Sequence, residues 1–265
     1  MKKIALIGFG GLGSIVASVL ARDVELRFVA VAARPRQADK VRATLGEVPL
    51  VDSPQALLAH APDLVVECAS HEAFHQYAEP VLAAGIDLIA VSVGVLADAA
   101  YRERVAATAK AAGATLEIPA GAIGAMDAVA AARAAGLTRV AYVTRKSPKA
   151  WSGTPAETMV DLKNVKSPVL FFNETAESAA RIFTDKANVC ATLALAGVGF
   201  DATRVEFWVD PGVNKSVHQI EAEGACGTLT IELANNVAPS DGKASLLTAM
   251  SIVRAVRNRV TSLRI

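Results

Sequence analysis

Short apolar runs alternate with amphipathic, alanine-rich stretches through the first half of the chain. Ile4-Ala5-Leu6-Ile7 reads as a buried strand, and the small-residue run Ile15 to Leu20 as the helix after it. Leu26 to Ala32, Leu64-Val65-Val66-Glu67, Leu88 to Val91 and Thr115 to Ile118 read as further strands. Between them, Ser53-Pro54 supplies the cap and first position of a short helix. Ser70 caps a helix running to about Ala84, and Leu96 to Ala112 forms an Ala-rich helix that Gly113 ends. Regular alternation of this kind predicts parallel strands joined by helical crossovers, hence a doubly wound sheet.

The pattern changes after Pro119-Ala120-Gly121-Ala122. Ala125 to Ala135 reads as a helix. Arg139 to Thr144, Val205 to Val209, His218 to Glu223 and Leu229 to Leu233 then have strand character. Thr228-Leu229-Thr230-Ile231-Glu232-Leu233 alternates with period two, which predicts an open antiparallel or mixed sheet with one wet or partner-covered face. Asn235 to Gly242 is a polar linker containing Pro239. A last helix, about Lys243 to Val260, has apolar residues at Leu246, Leu247, Met250, Val253 and Val256, and is expected to return to the first domain. The boundaries expected are 1–121, completed by a C-terminal helix in 240–265, and 122–239 for a catalytic and dimerisation domain.

Composition narrows the partners. Apolar residues make up 52% of the 265, enough for a sizeable core. The net charge is +1 and no basic cluster stands out, which argues against nucleic acid and anionic membrane. Cys68, Cys190 and Cys226 are far apart and odd in number. They fit neither a disulfide framework nor a metal ribbon, and point to a reducing compartment. Lys2-Lys3 faintly mimics a signal peptide, but the apolar run after it breaks into glycines and soon meets Arg22, Asp23 and Glu25. No stretch is long and charge-free enough to read as a membrane span.

The glycine turn makes the first domain a dinucleotide site. Gly8-Phe9-Gly10-Gly11-Leu12-Gly13 follows a strand and opens a helix, the context in which G-x-G-x-x-G is informative. Gly8 permits the tight turn, Gly10 lets a pyrophosphate approach the backbone, and Gly13 lets the helix pack close to the strand. The architecture expected is therefore α/β: an N-terminal Rossmann dinucleotide-binding domain plus an α+β domain with an open mixed sheet. The second strand ends Val31-Ala32-Ala33-Arg34-Pro35-Arg36, without the acidic residue that selects NAD. Arg34 can stack on adenine or pair with a 2′-phosphate, so NADP is permitted beside NAD. The other reading of Arg34 is a solvated loop charge.

Candidate chemistry lies downstream. His60 reads as a surface residue. His71 and His75 share a helical face, but no third ligand accompanies them, so no metal is expected. His218 begins a strand after the loop Asp210 to Ser216. It reads either as a surface histidine or as the acid–base group of the second domain, since imidazole titrates near ~6.5. The turn Pro119 to Asp127 offers backbone N–H groups to a carboxamide or carboxylate. Arg145-Lys146-Ser147-Pro148-Lys149 places three cations at a strand end, suited to an anionic substrate or simply an exposed charged loop.

Taken together, Gly8 to Gly13, Val65 to Ser70, Pro119 to Asp127, Lys146 to Lys149, Asn188-Val189, Asp210 to His218 and Lys243 to Asn258 resemble the L-aspartate dehydrogenase family. The match runs in order over nearly the whole chain. The resemblance implies a cytoplasmic, homodimeric, NAD(P)-dependent enzyme that oxidises L-aspartate to iminosuccinate. That product hydrolyses to oxaloacetate and ammonia or feeds nicotinamide-ring synthesis. By this resemblance His218 is the catalytic histidine, and Ala122 and Asn188 contact the cofactor. Gly8, Gly10, Gly11, Leu12, Gly13, Arg34, Ala69 and Ser70 complete the cofactor side. Charge and placement nominate Lys149, Asn214, Lys215 and Gly121 for the substrate carboxylates. A two-domain reductase of the dihydrodipicolinate or homoserine type, and a non-catalytic dinucleotide sensor, are the competing readings.

Overall fold

The computed structural model describes residues 1–184, 187–236 and 245–264. The chain divides into two units. One takes in Met1–Gly121 together with the C-terminal helix, and the other begins at Ala122.

In the first unit, strands and helices alternate: β1 (Lys2–Ile7), α1 (Gly11–Leu20), β2 (Leu26–Ala32), α2 (Ala38–Leu45), β3 (Leu50–Val51), α3 (Pro54–Leu58), β4 (Leu64–Glu67), α4 (His71–Ala83), β5 (Asp87–Ala90), α5 (Ala99–Ala112) and β6 (Leu116–Glu117). The strands form one parallel sheet in the order β3-β2-β1-β4-β5-β6. This is the expected doubly wound order, and the crevice where it reverses lies beyond the ends of β1 and β4. Helices on both faces explain why Ile4 to Ile7 and Leu64 to Glu67 are buried without alternation. Ser53 and Ser70 do cap α3 and α4, their hydroxyls accepting from Ala56 N and Ala73 N. The helix expected from Leu96 instead starts at Ala99. Val93–Ala97 is a 3₁₀ turn, and the Asp98 carboxylate accepts from Tyr101 N at 3.0 Å, which fixes the true start.

The second unit contains α6 (Met126–Ala135), β7 (Leu137–Lys146), α7 (Pro148–Trp151), β8 (Val169–Thr175), α8 (Ala176–Ile182), α9 (Ala187–Ala196), β9 (Arg204–Val209), β10 (Ser216–Gly224) and β11 (Gly227–Asn235). Its mixed sheet runs β11-β10-β7-β9-β8, with only β7 and β9 parallel. Alternation sorts the side chains. Val140, Tyr142, Thr144, Val205, Phe207, Val209, His218, Ile220 and Ala222 are buried on one face, which α6, α8 and α9 cover. The opposite face is polar: Arg139 pairs with Glu221 at 2.7 Å, and Arg145 lies over the Trp208 ring. Asn235, expected in the linker, is the last residue of β11 and pairs with Ser216. The rest of that linker from residue 237, with Lys243, lies outside the described residues.

The C-terminal helix α10 (Leu246–Arg257) belongs to the first unit, where it packs against α1. Ala249, Ile252, Val253 and Val256 join Val16, Ala17 and Leu20 in one core. Beyond it, Arg259 reaches Asp87 at 2.8 Å and Glu117 at 2.5 Å, tying the chain end to β5 and β6.

Candidate active site

Each glycine of the β1–α1 turn is required for a different reason. Gly8 has φ +91°, and a Cβ there would lie 2.6 Å from the Ala69 Cβ. A Cβ on Gly13 would overlap the Gly8 carbonyl oxygen. These two positions are closed by the protein itself. Gly10 is the opposite: nothing lies within 4 Å of its Cβ position. The open side of Gly10 sits at the N-terminus of α1, which no side chain caps. Backbone access, space and the positive end of a helix dipole coincide there, so these residues fit a dinucleotide pyrophosphate.

A second device holds the neighbouring loop. Glu67, only 1% exposed at the end of β4, receives four hydrogen bonds. Its Oε1 accepts from Ala69 N at 2.6 Å, Ser70 N at 3.1 Å and Ser92 Oγ at 2.8 Å, and its Oε2 from Ser92 N at 3.0 Å. The carboxylate thus staples the loop after β4 to the loop after β5. Burial pushes its pKa up, and the donors work in the opposite direction. Ala69 itself is exposed, as is Ser70, the cap of α4. Arg34 is exposed just beyond β2.

His218 is not a surface residue; it is 5% exposed. Its register partner on β7 is Thr144. Tyr142, two residues before Thr144 on the same face, brings its hydroxyl to 2.6 Å from His218 Nδ1. Lys146, two residues after Thr144, lies on that face too, with Nζ 4.9 Å from the Trp151 ring centroid. Burial, reinforced by the Lys146 charge, pushes the His218 pKa down to about 3. Among the described residues Tyr142 is the hydrogen-bond partner of the ring, and Tyr101 Oη is the only buried side-chain N or O atom without one. His218 Nε2 therefore keeps access to solvent.

The other expected residues scatter more. Lys149, Asn214 and Lys215 are exposed. Lys149 lies in α7, past the strand; Asn214 and Lys215 sit just before β10, whose third residue is His218. The Gly121 amide already donates to Ser251 Oγ at 3.1 Å. The Ala122 carbonyl accepts from Asn235 Nδ2 at 2.6 Å. Asn188 is half-buried near the start of α9, the helix that also brings Cys190 into the buried face. Among the described residues no group of three or more His, Cys, Asp or Glu could hold a metal ion. Tyr142 was not singled out by sequence, Glu67 entered only within the Val65 to Ser70 motif, and Lys146 only as one of three cations at a strand end. Strand alternation carried the only signal, because it separates Lys146 from Arg145 once β7 and β10 are in register.

No described helix is long and apolar enough to cross a membrane. Residues 127–259 match the family described as aspartate dehydrogenase, C-terminal, and residues 8–119 match homoserine dehydrogenase, NAD binding domain. An L-aspartate dehydrogenase of Acinetobacter baumannii strain AYE is 42% identical, covering 100% of each chain. One from Pseudomonas aeruginosa strain PAO1 is 41% identical, again covering 100% of each. The solved aspartate dehydrogenase of Thermotoga maritima shares the fold, with a TM-score of 0.78 at 24% identity over 100% of this chain and 99% of that one.

Proposed function

The chain belongs to the L-aspartate dehydrogenase family, and on that premise we propose that it catalyses NAD(P)-dependent oxidative deamination of L-aspartate, and the reverse reductive amination. The observation that carries the reading is a buried, neutral histidine in the unit that matches the aspartate dehydrogenase family. The bound nicotinamide supplies the hydride acceptor. The first unit holds the dinucleotide: Gly8 to Gly13 receive the pyrophosphate, and Glu67 keeps Ala69 and Ser70 in place beside them. Arg34 stands where an acidic residue would select a free 2′-hydroxyl, which suits use of both NAD and NADP. Ala122 and Asn188 are assigned to cofactor contact.

His218 does the proton work. Hydride can leave Cα only when the substrate nitrogen has a free lone pair to form the C=N bond. His218 accepts a proton from the ammonium group: the substrate N–H bond breaks, an imidazole N–H forms, and the ring becomes cationic. Held down by burial and by Lys146, His218 starts in the basic form at neutral pH. A dicarboxylate arriving beside it favours the imidazolium and so assists the transfer. In the reverse direction the imidazolium returns the proton to iminosuccinate nitrogen. Lys146 is the cation on the face of His218 and takes one substrate carboxylate. Lys215, Asn214 and Lys149 are candidates for the other. The product iminosuccinate hydrolyses to oxaloacetate and ammonia. The enzyme is assigned to the cytoplasm, and the polar outer face of the second sheet to a second copy of the chain.

The test is oxidation of reduced cofactor with oxaloacetate, with and without ammonium, alongside reduction of oxidised cofactor by L-aspartate and, as a control, by homoserine. Turnover that requires ammonium and is lost in His218→Ala supports the assignment. Turnover on homoserine alone overturns it.

A further inference from the structure

Tyr142 and His218 are diagonal neighbours across the β7–β10 pair: Tyr142 stands opposite Ile220, and His218 opposite Thr144. Both side chains lie on the buried face, where long groups at diagonal positions can touch. Their rings are nearly parallel, with centroids 5.9 Å apart and an interplanar angle of 17°, and the Tyr142 hydroxyl is 2.6 Å from His218 Nδ1. The tyrosine itself has little freedom. It is 2% exposed, and its ring meets Phe207 of β9 edge-on at 6.5 Å. Phe207 is packed in turn by Trp151, Phe172 and Phe183. An aromatic cluster thus delivers one hydroxyl to a fixed point on the buried face. A buried hydroxyl is costly unless it is hydrogen-bonded. Packing alone would be met by phenylalanine, as it is at Phe207, so the oxygen of Tyr142 has its use in the contact with Nδ1.

We propose that Tyr142 is the positioning residue of His218: its hydroxyl holds Nδ1, fixes the plane of the ring, and so makes Nε2 the nitrogen presented to the substrate amine. A phenol hydroxyl both donates and accepts. The contact therefore serves either neutral tautomer, and also the imidazolium formed when the substrate ammonium gives up its proton. A carboxylate in the same place would hold the ring equally well but would favour its cationic form. Tyr142 stays neutral, because burial pushes its pKa well up. It orients the ring without placing a negative charge beside it, in keeping with the depressed pKa of His218. Lys146, from β7, and Cys190, from α9, also face the pair. Tyr142 acts through His218 and does not itself touch substrate. The inference deepens the assignment of His218 as the proton acceptor and rests on it for its catalytic meaning.

The test has two arms, both on the full-length protein. Tyr142→Phe removes one oxygen and keeps the ring and its packing. It is expected to lower kcat for L-aspartate by roughly ten- to a hundredfold, as a misplaced base does. The KM for L-aspartate and the Kd for reduced cofactor should stay unchanged. A packing role alone would lower the thermal midpoint and leave the kcat of the folded protein as it was. Unchanged kcat overturns the inference, and so does a loss shared equally by kcat and cofactor affinity. The second arm needs neither the variant nor turnover. Unaltered protein is treated with bromosuccinate, a dicarboxylate that alkylates histidine nitrogen: a nitrogen–carbon bond forms and bromide leaves. The His218 peptide is then isolated and the substituted nitrogen identified by NMR. Substitution at Nε2 is expected. Substitution at Nδ1, or none at His218, overturns the inference. Absence of L-aspartate turnover together with substitution at Nε2 counts against the proposed function alone.

Discussion

Glu67 and His218 are both buried ionisable side chains, one among the candidate site residues of each unit, and the two are treated in opposite ways. Glu67 in the nucleotide unit is saturated by four donors on two loops. His218 in the second unit has, among the described residues, one hydrogen-bond partner, on Nδ1, and keeps its other nitrogen in reserve. A buried polar group with every lone pair engaged fixes geometry. A buried group with one atom left over, and its pKa driven far from its ordinary value, is prepared to exchange a proton. Burial is therefore common to both, and the number of satisfied atoms separates scaffold from chemistry.

Substitutions can break this contrast. The largest effect is expected from His218→Ala, which should lower kcat by roughly 10²–10⁴-fold while leaving reduced-cofactor binding intact by fluorescence titration. Equal losses in turnover and cofactor affinity would place His218 in the scaffold instead.

Acid titration of stability comes next. Between its folded pKa of about 3 and its ordinary 6.5, His218 binds a proton in the unfolded chain and not in the native one. Native stability is therefore full above pH ~6.5 and falls with decreasing pH, by about a few kcal/mol in all. Glu67 has the opposite sign. Its raised pKa makes the native state bind the extra proton above 4.5, so its contribution falls as pH rises. Chemical denaturation of His218→Asn across this range should show a flatter acid limb than the parent protein. An unchanged limb would mean that the buried neutral ring does not set it.

Glu67→Gln replaces two oxygens by one oxygen and a donor facing donors. It should cost about 1–3 kcal/mol in thermal or chemical denaturation and weaken cofactor binding through the loop it staples, without altering the pH dependence of kcat. Gly10→Ala should lower cofactor affinity by about tenfold, or about 1.4 kcal/mol, with no loss of stability, since its Cβ meets nothing. Gly13→Ala should lose stability, because its Cβ meets the Gly8 carbonyl. Arg34→Ala is the mildest, expected to change the NADPH-to-NADH preference by only a few-fold, as an exposed contact should.

The first sheet was readable because its strands are continuous apolar runs set off by capping residues and glycines. Ser53, Ser70 and Gly113 mark their helices from sequence alone. The second unit was readable at β7, β9, β10 and β11, where alternation is clear, and opaque from residue 169 to 196. There α9 is apolar on nearly every side, so no helical stripe shows. The edge strand β8 exposes Val169 and Leu170 and carries a register shift near them, which blurs its alternation. His218 was visible as a candidate, but its burial was not. Tyr142 and Thr144 became visible only through the β7–β10 register, since pairing across 76 residues leaves no mark on local pattern.

The packing of α10 on α1 reverses the order of manufacture and the order of completion. A ribosome releases β1 and α1 long before α10, so the core they share with Ala249, Ile252, Val253 and Val256 has to wait until the second unit has been made. The sheet of the second unit is fully synthesised before that moment. The stretch of translation between α6 and α10 thus holds a nascent nucleotide unit with an open apolar flank on α1, the kind of surface chaperones shield. Stop codons that remove only α10 should therefore send the protein to the insoluble fraction, whereas the intact tail lets the first-made half close last.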